Sequence, residues 1–230
     1  MMNPLENCRA VIFDLYYTLA LLEPFDSEGL NESIILGIER ERWLAVCREC
    51  YADGALGIIK SRVQFMRNIV RRIIPDASED LIQTALECRL RRYTKSLVDI
   101  DPLIIKTLES MRRMNLKIGL ISNADIVDKA GWNDSPLRKY FDVSLFSCDL
   151  GLMKPDRRIY DLAVERLDVK ASGCIYIGDG GHQEFTGAKE AGMTTVLTTY
   201  FIKNLWPEKI ESLKQDADYI VDGIDEIANH

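Results

Sequence analysis

Four polar residues stand where apolar runs end. Asp14 follows Val11-Ile12-Phe13, Ser122 follows Lys117-Ile118-Gly119-Leu120-Ile121, Lys154 lies in the loop after Val143–Ser147, and Asp179 follows Cys174-Ile175-Tyr176-Ile177-Gly178. Each run has the length and apolar content of a buried strand. A parallel sheet gathers the carboxyl ends of its strands along one edge, where open α/β sheets bind ligands. Brought together there, a nucleophilic carboxylate, a hydroxyl to hold an oxyanion, a fixed ammonium and a second carboxylate suit phosphoryl transfer. Two close carboxylates repel, so a hard divalent cation with oxygen ligands is expected between them. It would neutralise phosphate oxygens and let Asp14 approach an anionic phosphorus, with Lys154 screening both.

The elements that must position these residues follow from the change of pattern along the chain. Helical periodicity covers about Ser27 to Tyr51, is broken at Asp53-Gly54, resumes from about Leu56 to Ile74 and stops at Pro75. Asp76-Ala77-Ser78-Glu79-Asp80 reads as the cap of a third helix, Leu81 to about Ser96. Asp101 and Pro102 open a helix running through Met114. From there strands and helices alternate, with further strands at Thr194–Thr198 and Tyr219–Val221. The fold class expected is α/β: a doubly wound, mostly parallel, Rossmann-like sheet with an inserted all-helical domain. Residues 1–19 and 99–230 would form the core, and residues 20–98 the insert.

The chain has 230 residues and a formal charge of -7, which argues against nucleic acid as a partner. No apolar run approaches membrane-spanning length, and the first nine residues lack the pattern of a secretory signal, so a cytoplasmic location is expected. The six cysteines are scattered, as free thiols would be. Cys47 and Cys50 form one CxxC within a helical pattern and without a second pair, which suits helix packing better than zinc. Arg62, Arg67, Arg71, Arg72, Arg89, Arg91 and Arg92 are matched by a similar number of acids and read as a solvated helical face.

Taken together and in order, the four segments resemble the haloacid dehalogenase-like hydrolase superfamily. Asp14-Leu-Tyr-Tyr-Thr18-Leu is similar to its first motif, Ile121-Ser122-Asn123 to its second and Lys154-Pro155-Asp156 to its third. Ile177-Gly178-Asp179, with Glu184 and Gly187-Ala188, resembles the fourth, and the helical insert lies where that superfamily carries its first-type cap. The resemblance implies that Asp14 is a nucleophile forming an aspartyl intermediate. It implies that Mg²⁺ is held by Asp14, Asp179 and the backbone carbonyl of Tyr16, and that Glu184, standing where a shorter Asp is usual, ligates it directly or through water. Ser122 would hydrogen-bond the phosphoryl group, Lys154 would position it, and Thr18 and Asn123 would brace the loops or touch substrate.

One departure bears on the reaction. Phosphatases of this superfamily place a second Asp two residues after the nucleophile, as acid and base; here that residue is Tyr16, which near neutral pH could donate a proton but is a poor base. The resemblance implies first a Mg²⁺-dependent phosphatase of small phosphorylated metabolites, with His182 able to shuttle protons. A 2-haloacid dehalogenase is the alternative, since that family carries Tyr at this position and another where Tyr160 stands. A third reading is a weakened member kept as a binding module. Arg40, Arg42 and Trp43 are candidates for substrate selection; oligomeric state is left open.

Overall fold

The computed structural model describes residues 5, 8–22 and 31–227. Its centre is a sheet of six parallel strands: β1 (Ala10–Phe13), β2 (Lys117–Ser122), β3 (Val143–Phe146), β4 (Cys174–Gly178), β5 (Thr194–Thr198) and β6 (Tyr219–Val221). Their order is β3-β2-β1-β4-β5-β6, so β1 lies between β2 and β4, with Phe13 opposite Leu120 and Ile177. The order reverses direction at β1, and the crevice above such a point is where open sheets bind ligands. This is the α/β fold expected from the alternation of strands and helices.

Among the described residues, five helices come between β1 and β2, and the first four make up the insert: α1 (Glu32–Leu36), α2 (Arg40–Ala55), α3 (Arg62–Ile73) and α4 (Glu79–Val98). The core helices are α5 (Pro102–Arg113), the single turn α6 (Ser147–Leu150), α7 (Arg157–Leu167), α8 (Glu184–Glu190), α9 (Ile202–Leu205) and α10 (Pro207–Leu213). Alternate residues of a strand face opposite ways. Val11 and Phe13 accordingly meet Ile104, Leu108 and Met111 of α5, while Ala10 and Ile12 meet Ile159, Ala163 and Leu167 of α7. Burial on both faces explains why the strands read as unbroken apolar runs.

The insert has its own apolar centre, in which Trp43, Phe65, Met66, Ile69, Ile82 and Leu86 pack with Val127 from the loop after β2. Three of its helices, α1, α3 and α4, start where short polar side chains cap them: Asn31 Oδ1 accepts from the Ser33 amide at 2.9 Å, Ser61 Oγ from Gln64 and Ser78 Oγ from Leu81. Three boundaries differ from the sequence expectation, one being the second helical run, which begins as α3 at Arg62, capped by Ser61, rather than near Leu56. The first helical run divides at Gly37 into α1 and α2, while residues 27–30 of that run lie outside the described residues. Asp53-Gly54 does not break α2; Gly54 sits inside it because a Cβ there would lie 2.6 Å from the Phe65 ring. We therefore expect Gly54→Val to destabilise the protein by about 1–3 kcal/mol, as overpacked cores generally are. An unshifted urea midpoint would contradict that.

The arginines also correct the expectation of a solvated face. Arg62, Arg71, Arg72 and Arg91 are exposed, but Arg89 and Arg92, three apart on α4, are buried among acids. Arg92 pairs with Glu32 at 2.9 Å. Arg89 donates to Asp125 at 2.9 Å and to Asp128 at 2.8 Å, joining the insert to the loop that follows β2. Burial, then Asp128, push the Asp125 carboxyl up to about 7 against the pull of Arg89.

Candidate active site

The loop after β1 carries Asp14 into the crevice. Asp14 continues the ladder, its amide donating to the Ile177 carbonyl at 2.9 Å, and the chain then turns tightly, with Tyr17 in the left-handed region (φ 62°). The amides of Leu19 and Ala20 both return to the Leu15 carbonyl. That turn brings Thr18 Oγ1 to 3.3 Å from Asp14 Oδ2, so Thr18 braces the carboxylate from a fully buried position.

Lys154 ties three elements together. Its ammonium donates to Asp14 Oδ1 at 2.5 Å, to Glu184 Oε2 at 2.6 Å and to the Tyr176 hydroxyl at 2.9 Å. Lys154 is 1% exposed, and burial alone would lower its pKa; Asp14 and Glu184 more than reverse this and hold it charged. Asn123 clamps the loop that carries it, donating to the Lys154 carbonyl at 2.9 Å and accepting from the Lys154 amide at 2.8 Å. Ser122, at the end of β2, is buried and lines the same cavity.

Glu184 opens α8 with both oxygens engaged: Oε2 accepts from Lys154 and from the Tyr176 hydroxyl at 2.7 Å, and Oε1 from the Gly180 amide at 2.9 Å. Its own carbonyl accepts from the Tyr160 hydroxyl at 2.8 Å. Only glycine fits at 178, since a Cβ there would lie 2.0 Å from Glu184 Oε1. Asp179 is engaged by one amide, that of Gly181, at 3.0 Å to Oδ1. Burial, then Glu184 and Asp14, raise the Asp179 carboxyl well above the usual range.

Carboxylate oxygens of Asp14, Asp179 and Glu184 come within 4.8 Å of one another, and among the described residues no other group of acids, His or Cys gathers in that way. Three carboxylates against one ammonium leave an excess of negative charge in a largely enclosed site, and this donor set fits a hard cation. The CxxC residues Cys47 and Cys50 are free thiols on α2.

The surrounding cavity, about 260 Å³, is lined by Asp14, Ser122, Lys154 and Asp179 from the core and by Tyr51 and Tyr93 from the insert. The Tyr16 hydroxyl donates to the Asp128 carbonyl at 2.6 Å, and its ring meets Tyr93 edge-on at 5.4 Å. That proton is therefore committed to the backbone. His182 stacks on Tyr51 at 5.0 Å between ring centres, with Nε2 3.2 Å from the hydroxyl, which places it at the seam between insert and core. Trp43 is buried in the insert, whereas Arg40 and Arg42 are exposed and line neither this cavity nor the one beyond it.

Tyr176 and the set Arg89, Asp125 and Asp128 were not anticipated. A tyrosine within a buried apolar strand requires a partner for its hydroxyl, which was the available signal for the first. The paired acids at 125 and 128, just beyond the Ser122 segment, were the signal for the second.

The model for haloacid dehalogenase-like hydrolases matches residues 8–192. The chain is 27% identical to the glyceraldehyde 3-phosphate phosphatase of Methanocaldococcus jannaschii, over 96% of each protein. It is 32% identical to the enzyme of that name from Methanopyrus kandleri, over 82% of each. In fold it resembles a 2-haloacid dehalogenase from Pseudomonas syringae, with a TM-score of 0.66, 21% identity, and coverage of 96% of this chain and 97% of that one. With a parallel sheet holding the four polar segments at one crevice and a family match across most of its length, the chain belongs to the haloacid dehalogenase-like hydrolases.

Proposed function

We propose that the protein is a Mg²⁺-dependent phosphatase of small phosphorylated metabolites, working through an aspartyl-phosphate at Asp14. The observation that carries this reading is the approach of Asp179 to Asp14 and Glu184 within 4.8 Å. Such a cluster serves no purpose in displacing halide, a reaction that needs no cation. Asp14 and Asp179, with the backbone carbonyl of Tyr16, would hold the ion. Glu184, with both oxygens hydrogen-bonded, would act mainly by fixing Lys154. When bound, the cation would offset charge on the phosphoryl oxygens.

The protein's own groups do the rest. Lys154 holds the Asp14 carboxylate in line through its hydrogen bond, while Ser122 offers a hydroxyl to the transferring group. Residues 1–19 and 99–230 would supply this chemistry, and the insert, residues 20–98, would act as a cap that excludes water and selects substrate. Because the Tyr16 proton is held by the Asp128 carbonyl, esters whose leaving groups need little protonation should be the best substrates.

The dehalogenase reading has Tyr16 and Tyr160 in its favour, together with a phosphatase-like fourth motif against it. Release of phosphate from p-nitrophenyl phosphate, with and without Mg²⁺, should be measured beside halide release from 2-chloropropionate without metal. Metal-dependent phosphate release and no halide is the expected outcome; the reverse would establish the dehalogenase. Asp179→Asn should weaken Mg²⁺ binding by at least the about tenfold that loss of an outer-shell partner of a metal site costs. A superimposable Mg²⁺ titration would remove Asp179 from the ligand set.

A further inference from the structure

Away from the active site, a cavity of about 370 Å³ lies beside β3, an outer strand of the sheet. It shares no lining residue with the active-site cavity. Ser144 and Phe146 of β3 line its core side together with Trp132, and Arg62, the first residue of α3, reaches it from the insert. Lys129 and Arg138 come from the segment between β2 and β3.

The charge of this cavity is opposite to that of the chain. Three cations, Arg62, Lys129 and Arg138, line it with one acid, Asp149, in a protein of formal charge -7. Asp149 is paired with Lys129, whose ammonium also lies 5.6 Å from the centre of the Phe146 ring. The arginines are held differently. Arg62 Nε donates to the Ile126 carbonyl at 3.3 Å, and Arg138 Nη1 donates to the Phe141 carbonyl at 3.4 Å. A carbonyl orients a guanidinium without cancelling its charge, and among the described residues neither arginine has a carboxylate partner. Both are exposed, so their remaining N–H groups are open to an arriving acceptor. Side chains already tethered lose less freedom when a ligand binds.

We infer that this cavity binds a small organic polyanion, whose carboxylate or phosphate groups pair with Arg62 on the insert and with Arg138 and Lys129 on the core. Guanidiniums favour such groups, which accept paired hydrogen bonds from their forked donors. A monovalent anion would satisfy one arginine; an anion of higher charge joins both and restrains the insert against the core. The site is independent of the reaction at Asp14.

Tricarballylate, a flexible tricarboxylate, and methylenediphosphonate probe the two kinds of group. Titration calorimetry of the full chain, without added metal in mildly alkaline low-salt buffer, should show saturable binding of at least one of them. Acetate should bind at least tenfold more weakly. Arg62→Gln and Arg138→Gln should each weaken the tighter probe by about fivefold or more, the loss expected for one charged hydrogen bond. Both side chains are exposed, so the variants should fold as the parent does. Lys139→Gln removes the same charge from an exposed residue beside Arg138 that does not line the cavity, and should leave binding unchanged. No saturable binding, equal losses in all three variants, or an affinity indifferent to Arg62 and Arg138 would overturn the inference. The bound probe should also slow deuterium uptake at residues 62–66 and at residues 129–133. Protection confined to one of these segments would refute the bridging of insert and core.

Discussion

Asp14→Asn is expected to lower hydrolysis of p-nitrophenyl phosphate by about a thousandfold or more, as loss of a nucleophile does in other enzymes. The change is nearly isosteric. The backbone amide at position 14 would still donate to Ile177, and the side-chain oxygen would still accept from Lys154. The fold should therefore persist, and circular dichroism and the urea midpoint should stay close to those of the parent. An amide oxygen lacks the charge to attack phosphorus, so the loss should fall on kcat. Retention of a tenth of the activity, measured on freshly purified protein, would exclude Asp14 as nucleophile.

Lys154→Met should carry the largest stability penalty of any single change in the site. The ammonium is buried against Asp14 and Glu184, and breaking such a pair by removing one partner costs about 3–5 kcal/mol. Activity should fall with it, since the attacking carboxylate loses its positioning contact. Burial, together with the neighbouring acids, already raises the Glu184 and Asp179 carboxyls above their ordinary values. A group raised in the folded state contributes stability as pH falls, so acidification from neutrality toward about pH 5 should recover part of the loss. Added Mg²⁺ should recover more in the variant than in the parent, because the carboxylates then lack the Lys154 ammonium. Urea midpoints that match the parent at pH 7 would refute the assigned role.

The site was legible where chemistry coincides with a strand end. Asp14, Ser122, Lys154 and Asp179 each follow a run whose apolar character already implies a buried strand, so topology alone brings them together. Asn123, by contrast, holds the Lys154 loop through two backbone contacts, a pairing between distant loops that periodicity does not encode. The fate of the Tyr16 proton was hidden for the same reason, since its acceptor is a carbonyl at position 128. Charge counting misled at α4: it treats arginines as a group, whereas spacing separates the buried pair at 89 and 92 from the exposed Arg91. Gly54 looked like a breaker because composition cannot show that Phe65 will press against that turn of the helix.

The central position of β1 has a mechanical corollary. With hydrogen-bonded neighbours on both sides, and its own amide extending that ladder, Asp14 is mounted on the stiffest part of the sheet. Fluctuations that loosen the outer strands β3 and β6 leave it in place, and amide protons along Val11–Phe13 should be among the last to exchange with deuterium. The carboxylate proposed to attack would thus be held still, and on that reading the motions that admit a substrate and release a product would fall to the helices above it.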